Sequence, residues 1–122
     1  MACKAMRWLV VGGLAVGCSG PEPPGGPSLP TTPPAHTAGE AVYRANCAVC
    51  HDTSRDGAPR TGYLAAWKRR LKQGEETLIQ NAMEGVDLMP PRGDNPGLTD
   101  DEVAGAVRYL IYRAEINIPA GH

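Results

Sequence analysis

Phenylalanine is absent from these 122 residues, and aromatic residues of all kinds make up only 5% of the chain. A side-chain core built from so few rings is thin, and domains this small commonly need a disulfide, a metal or a cofactor as a staple. An excess of one charge is missing as well. The formal net charge of −1 excludes the strongly basic balance of a nucleic-acid binder. No apolar run approaches the roughly 20 residues that span a bilayer. The length excludes a large two-domain enzyme. What the chain has in abundance is 15 Gly and 12 Pro, and it holds four Cys.

These residues are not spread evenly, and three segments separate. Segment 1–17 has Lys4 and Arg7 near its start, followed by the uncharged run from Trp8 to Gly17. That run has the length of a signal-peptide core. It ends in Leu14-Ala15-Val16-Gly17-Cys18, which resembles the lipobox of bacterial lipoproteins, with Ala15 where Leu is usual. Cleavage before Cys18 and lipidation of its thiol are therefore expected. An ordinary secretory signal with an incidental Cys is the plainer alternative. The expected location is the bacterial cell envelope, facing the periplasm. Ser19, in place of an acidic residue after Cys18, leans toward the outer membrane.

Segment 18–36 continues the anchor as a linker. Seven of the eighteen residues from Ser19 to His36 are Pro and three are Gly. Such a composition buries too little surface to repay ordering and predicts an extended tether of about 55 Å at full stretch.

Segment 37–122 is the candidate domain. Thr37-Ala-Gly-Glu40 has the capping-box pattern, predicting a short helix over 40–46. A loop from Asp52 to Arg60 precedes a second helix over 62–71, and Gly74 stops it. Glu75 to Glu84 predicts a third helix, acidic in its first turn and closed by Gly85. Thr99-Asp-Asp-Glu102 is another capping box, followed by Val103, Val107, Leu110 and Ile111 on one face. No run alternates with period two, so the predicted class is all-α.

Chemistry concentrates in Cys47-Ala48-Val49-Cys50-His51. A Cys-x-x-Cys pair alone fits a dithiol redox site, half a zinc site or a haem attachment site. The His directly after the second Cys favours haem c, with Cys47 and Cys50 as thioethers and His51 as an iron ligand. A thioredoxin-like site needs a βαβ setting that the helical pattern lacks. A zinc site needs further ligands, and the other His residues are His36 and His122. For the sixth iron position the candidates are Met89, Met83 and His122. Met89 is favoured, because Pro90 and Pro91 keep its loop out of helix and stiff. Met83 reads as core at i+4 from Ile79.

Gly39, Tyr43 and Tyr109 resemble the helix crossing of class I c-type cytochromes. Gly57 through Gly62, Ala65-Ala66-Trp67, Gly74, Met89-Pro90-Pro91 and Leu98 through Glu102 resemble the cytochrome c-five subfamily. Tyr63 and Lys68-Arg69 depart from that subfamily's usual residues. The resemblance implies about four short helices around one covalently bound haem, with the N- and C-terminal helices crossing. It also implies that the Pro59 carbonyl accepts from the His51 ring, that Trp67 lies against the haem with its N–H near a propionate, and that Arg70 offsets propionate charge.

The function expected is single-electron transfer between extracytoplasmic redox proteins by a membrane-tethered carrier, with no nucleic acid and no small-molecule substrate. The alternatives are an electron-input subunit of a larger oxidoreductase, or a haem sensor or peroxidase with a labile sixth ligand. The basic run from Lys68 to Lys72 reads either as a docking surface for an acidic partner or as a solvated helix face.

Overall fold

In the computed structural model, which describes residues 31–117, the first helix, α1, runs over Pro34–Asn46. The helix therefore starts inside the segment that composition assigns to the linker, and the Thr37 capping box is not formed. Pro33 precedes the helix and Pro34 occupies its first turn, where a fixed φ and a missing N–H cost nothing. Thr37 donates its hydroxyl back to the Pro33 carbonyl at 3.3 Å, and His36 stacks on Tyr112 with ring centroids 4.6 Å apart. Segment 1–17, Cys18, residues 19–30 and His122 lie outside the described residues.

Four more helices follow. Helix α2 is the single turn Ala48–His51. Helix α3 is Leu64–Leu71, shorter at its start than the sequence suggests. Gly62 takes φ +72° and Tyr63 is extended, so Leu64 is the first helical residue. Helix α4, Glu75–Glu84, lies between Gly74 and Gly85 as the sequence predicts. Helix α5, Asp100–Glu115, opens on Thr99 and Glu102, whose reciprocal hydrogen bonds form the capping box. Short 3₁₀ turns at Arg55–Gly57 and Pro91–Asp94 punctuate the two long loops. Among the described residues there is no strand, only one isolated bridge between Val86 and Met89.

Helices α1 and α5 cross with their backbones in contact at Gly39 and Gly105. Beside that crossing Tyr43 and Tyr109 are 3% and 1% exposed, their centroids 5.2 Å apart. They join Trp67, Ala106, Leu110 and Ala114 in one buried cluster. Leu78 and Ala82 from α4 meet Val103 and Val107 from α5 in a second. Helix α5 thus carries one cluster at each end, and Leu71 packs against both.

Candidate haem site

Cys47 ends α1 and starts α2. Its N–H still bonds to the Tyr43 carbonyl at 2.8 Å, while its own carbonyl accepts from Cys50 at 3.2 Å and His51 at 3.0 Å. The two-residue spacer has a physical purpose in this turn. Residues three and four apart share a helix face, so Cys47, Cys50 and His51 lie together. Both cysteines are free and half-buried. Burial, reinforced by Cys50, pushes the Cys47 thiol up to about 11, which keeps it neutral at ordinary pH.

His51 is buried, with 6% of its surface exposed. Its Nδ1 lies 2.9 Å from the Pro59 carbonyl oxygen, the hydrogen bond that the resemblance implies. That bond makes Nδ1 the donor and leaves Nε2 with its lone pair, the form an imidazole needs to bind a metal. The main chain of His51 is held as well. Its carbonyl accepts from the Thr61 N–H at 2.8 Å and from the Thr61 hydroxyl at 3.2 Å. The Tyr43 hydroxyl, arriving from α1, bonds to both Asp52 and Thr61. Burial and then the Asp52 carboxylate raise the Tyr43 phenol well above its ordinary value, so it stays protonated. Residues 59–61 therefore grip His51 at ring and backbone, and α1 braces the grip. Sequence reasoning missed Tyr43, Asp52 and Thr61 in this role.

Trp67 stands beside His51, ring centroids 6.2 Å apart. Its indole N–H donates to the Arg60 carbonyl at 2.8 Å. This backbone acceptor, in the loop that leads into α3, satisfies a buried donor. Arg70 is half-buried and donates to the Ala66 carbonyl of its own helix at 2.6 Å.

Met89 lies on a separate loop. Gly85 ends α4 at φ +84°, and a Cβ there would lie 2.8 Å from the Met89 carbonyl oxygen. Val86 and Met89 then exchange two backbone hydrogen bonds, of 3.1 and 2.8 Å, around Asp87 at φ 51°. The loop is thus closed by a tight reverse turn in addition to the prolines. The Met89 side chain packs against the second cluster, as does that of Met83. Beyond the prolines the loop returns to the Cys47 segment. Asn95 donates to the Asn46 side chain at 2.8 Å, and a Cβ on Gly93 would lie 3.2 Å from the Asn46 carbonyl oxygen and 3.9 Å from the Cys47 sulfur. Arg92 fastens the far end, donating to the Leu98 carbonyl at 2.8 Å and pairing with Asp100 at 2.5 Å.

The donor set fits a covalently held haem. Two free thiols and an imidazole with one nitrogen uncommitted share a turn, and a loop bearing a thioether is pinned to it. Among the described residues no three His, Cys, Asp or Glu side chains converge as a protein-only metal site, so a zinc reading finds no ligand set.

The family described as "Cytochrome C oxidase, cbb3-type, subunit III" matches residues 34–110. A cytochrome c-555 of Chlorobaculum tepidum is 44% identical over 78 residues, covering 61% of this chain and 72% of that protein. A cytochrome c5 of Azotobacter vinelandii is 36% identical over 72 residues, covering 57% and 87%. Among solved structures, a chain from an electron transfer complex of nitrite reductase with cytochrome c superposes with a TM-score of 0.61. It is 36% identical, with 64% of this chain and 95% of that chain covered. Cytochrome c6 from the diatom Phaeodactylum tricornutum gives a TM-score of 0.53 at 30% identity, with 68% and 98% covered.

Proposed function

Because this chain belongs to the class I c-type cytochromes, of the cytochrome c5 kind, we propose that it is a mono-haem electron carrier working outside the cytoplasm. The cofactor is haem c, and the Cys47 and Cys50 pair fits its attachment motif. In this reading Cys47 and Cys50 would hold the haem as thioethers, and His51, through Nε2, and Met89, through sulfur, would bind its iron. When bound, the haem supplies a one-electron couple between ferrous and ferric iron, and a His/Met pair favours the ferrous state.

The chain's own residues hold that couple in place. The Pro59 carbonyl fixes the ring orientation of His51 and the tautomer that leaves Nε2 free. Thr61, braced by Tyr43, fixes its backbone. The Gly85 turn and the Asn46–Asn95 bond set where Met89 stands. Trp67 stands beside the His51 ring, and Arg70 lies one turn further along the same helix. The protein is an electron carrier and not an enzyme, in keeping with relatives that are cytochromes c.

A signal over 1–17, a lipid on Cys18 and a tether reaching to the start of α1 would hold the domain at a membrane facing the periplasm, with redox proteins as partners. The lipobox-like sequence and the prolines support this. The observation that carries the reading is the Cys47–His51 turn with His51 Nδ1 committed to Pro59. The test is an absorption spectrum of the exported protein. A c-type pyridine haemochrome and the far-red band of ferric Met ligation are expected, and absence of covalent haem overturns the reading. Labelling with a fatty-acid analogue that Cys18→Ala abolishes tests the anchor. A second reading, an electron-input subunit of a larger complex, is supported by the matched family's description as an oxidase subunit. Co-purification of the detergent-extracted protein with a larger redox complex favours that reading, and elution alone favours the free carrier.

A further inference from the structure

From Gly57 to Gly74 the chain carries five basic residues and no acidic one, whereas the rest of the described residues hold five basic against twelve acidic. The charge is therefore segregated onto one helix and the loop leading into it. On α3 the segregation has a direction. Ala65, Lys68, Arg69 and Lys72 are spaced three, one and three apart, which puts them on one helix face, and all are exposed. None of the four salt bridges among the described residues uses Lys68, Arg69 or Lys72. The opposite face of the same helix carries Trp67, 5% exposed and centred 6.2 Å from the His51 ring.

At the N-terminal end of α3, Tyr63 is 60% exposed and lines an open hollow of about 480 Å³ with Arg60, Thr61 and Ser54. Exposed Tyr and Arg are the residue types enriched where protein partners gain most of their binding energy. A basic face with an aromatic anchor, backed by the ring that covers the iron ligand, is placed for contact and electron exchange together.

We propose that the outer face of α3, with Tyr63 at its edge, is the docking surface for a redox protein whose own electron-transfer surface is acidic. This rests on the electron-carrier reading above and names the face it uses. A protein occupant is favoured over anionic lipid because the face is backed by Trp67 and His51, a link that serves only a partner with a redox centre. The haem, when bound, would supply the single electron that the partner's oxidised centre accepts, its iron going from ferrous to ferric, and no proton need move.

The test uses the full-length haem-loaded protein and two outer-sphere oxidants, anionic ferricyanide and cationic tris(phenanthroline)cobalt(III). Reversible reduction and reoxidation of the wild-type protein comes first, and its failure counts against the carrier reading itself. Given that cycle, Lys68→Glu/Arg69→Glu/Lys72→Glu is expected to slow ferricyanide about ten-fold at low ionic strength and to speed the cobalt complex. The difference should collapse in strong salt. Glu84→Lys/Asp101→Lys, on the acidic remainder, should leave the ferricyanide rate within about two-fold.

Binding gives an independent readout. In NMR spectra of the wild-type protein, poly-L-glutamate is expected to shift amides of residues 60–72 ahead of all others, and Lys72→Glu alone should weaken that binding. Equal ferricyanide rates in the triple variant, or shifts centred elsewhere, overturn the proposal. So does binding to phosphatidylglycerol vesicles that needs Lys68 and Lys72 while poly-L-glutamate is ignored, which would make the face a lipid contact. If the triple variant does not fold, the wild-type NMR map and Lys72→Glu decide.

Discussion

Gly39 on α1 and Gly105 on α5 touch backbone to backbone, but the two positions are not equivalent. A Cβ built on Gly39 would lie 2.1 Å from the Gly105 carbonyl oxygen, whereas a Cβ on Gly105 would lie 3.5 Å from the Gly39 Cα, an ordinary contact. The Gly39→Ala change must therefore drive the helices apart and loosen Tyr43 and Tyr109 beside them. A loss of about 3 kcal/mol is expected for it. Gly105→Ala should stay within about 1 kcal/mol, because better helix propensity offsets slight crowding. Urea unfolding of the two haem-loaded variants checks this, and equal losses would show that the crossing is not backbone-limited.

Removing the proposed sixth ligand separates a carrier from a sensor. In Met89→Ala the far-red ferric band should vanish, the potential should fall, and an added small ligand such as cyanide should bind markedly faster. An unchanged ferric spectrum would return the position to Met83 or His122. Gly85→Ala is the gentler companion. It keeps the thioether but strains a φ of +84° and crowds the Met89 carbonyl, so a weakened band and a loss of roughly 1–3 kcal/mol are expected.

The Tyr43 phenol gives the fold an alkaline limit with a definite sign. Its folded-state pKa is raised from the ordinary 10.0, chiefly by burial and then by Asp52. The unfolded chain therefore loses this proton first, and the folded state retains it. Tyr43's contribution is complete below about pH 10 and declines as pH rises above it. Tyr43→Phe should flatten that decline and lower stability at pH 7 by about 1 kcal/mol, through the lost bonds to Asp52 and Thr61. Denaturant titrations at pH 7, 10 and 11 would measure both, and an unaltered alkaline slope would falsify the assignment.

The opposite sign applies at the start of α5. Two hydrogen bonds from Thr99 hold the Glu102 carboxyl below its ordinary value of 4.5. Its support is present above that value and fades as pH falls through the lowered one. Thr99→Ala should cost about 1 kcal/mol at pH 7 and less at pH 3, where the wild-type box is itself partly lost. The same cost at both values would show that Glu102 plays no part.

The features readable in the sequence were those set by neighbours in the chain. Cys47 through His51, the glycine limits of α4 and the Thr99–Glu102 box all depend on residues within one turn. Helix α1 was misplaced because two local signals competed: Thr37 and Glu40 have the capping pattern, but Pro33 and Pro34 start the helix at residue 34, six residues before the expected start at 40. The bond from Asn95 to Asn46 crosses 49 residues, and Tyr43 meets Thr61 across 18. Trp67 was placed on a helix correctly, but its donor ends on a backbone carbonyl, and no side-chain pattern announces such an acceptor. Sequence spacing located the candidate ligands, while the contacts that orient them come from folding.

The stack of His36 on Tyr112 also has a mechanical meaning. Any tension on the chain before Pro34 enters the domain at the first turn of α1, where that stack couples it to the last turns of α5. From there about 20 Å of helix separates the point of pull from Cys47, and the Gly39–Gly105 contact lies in between. The load is shared between two crossed helices in shear before it reaches the turn that carries Cys47, Cys50 and His51. A domain tugged from its N-terminus would load the α1–α5 crossing before the turn that carries Cys47, Cys50 and His51.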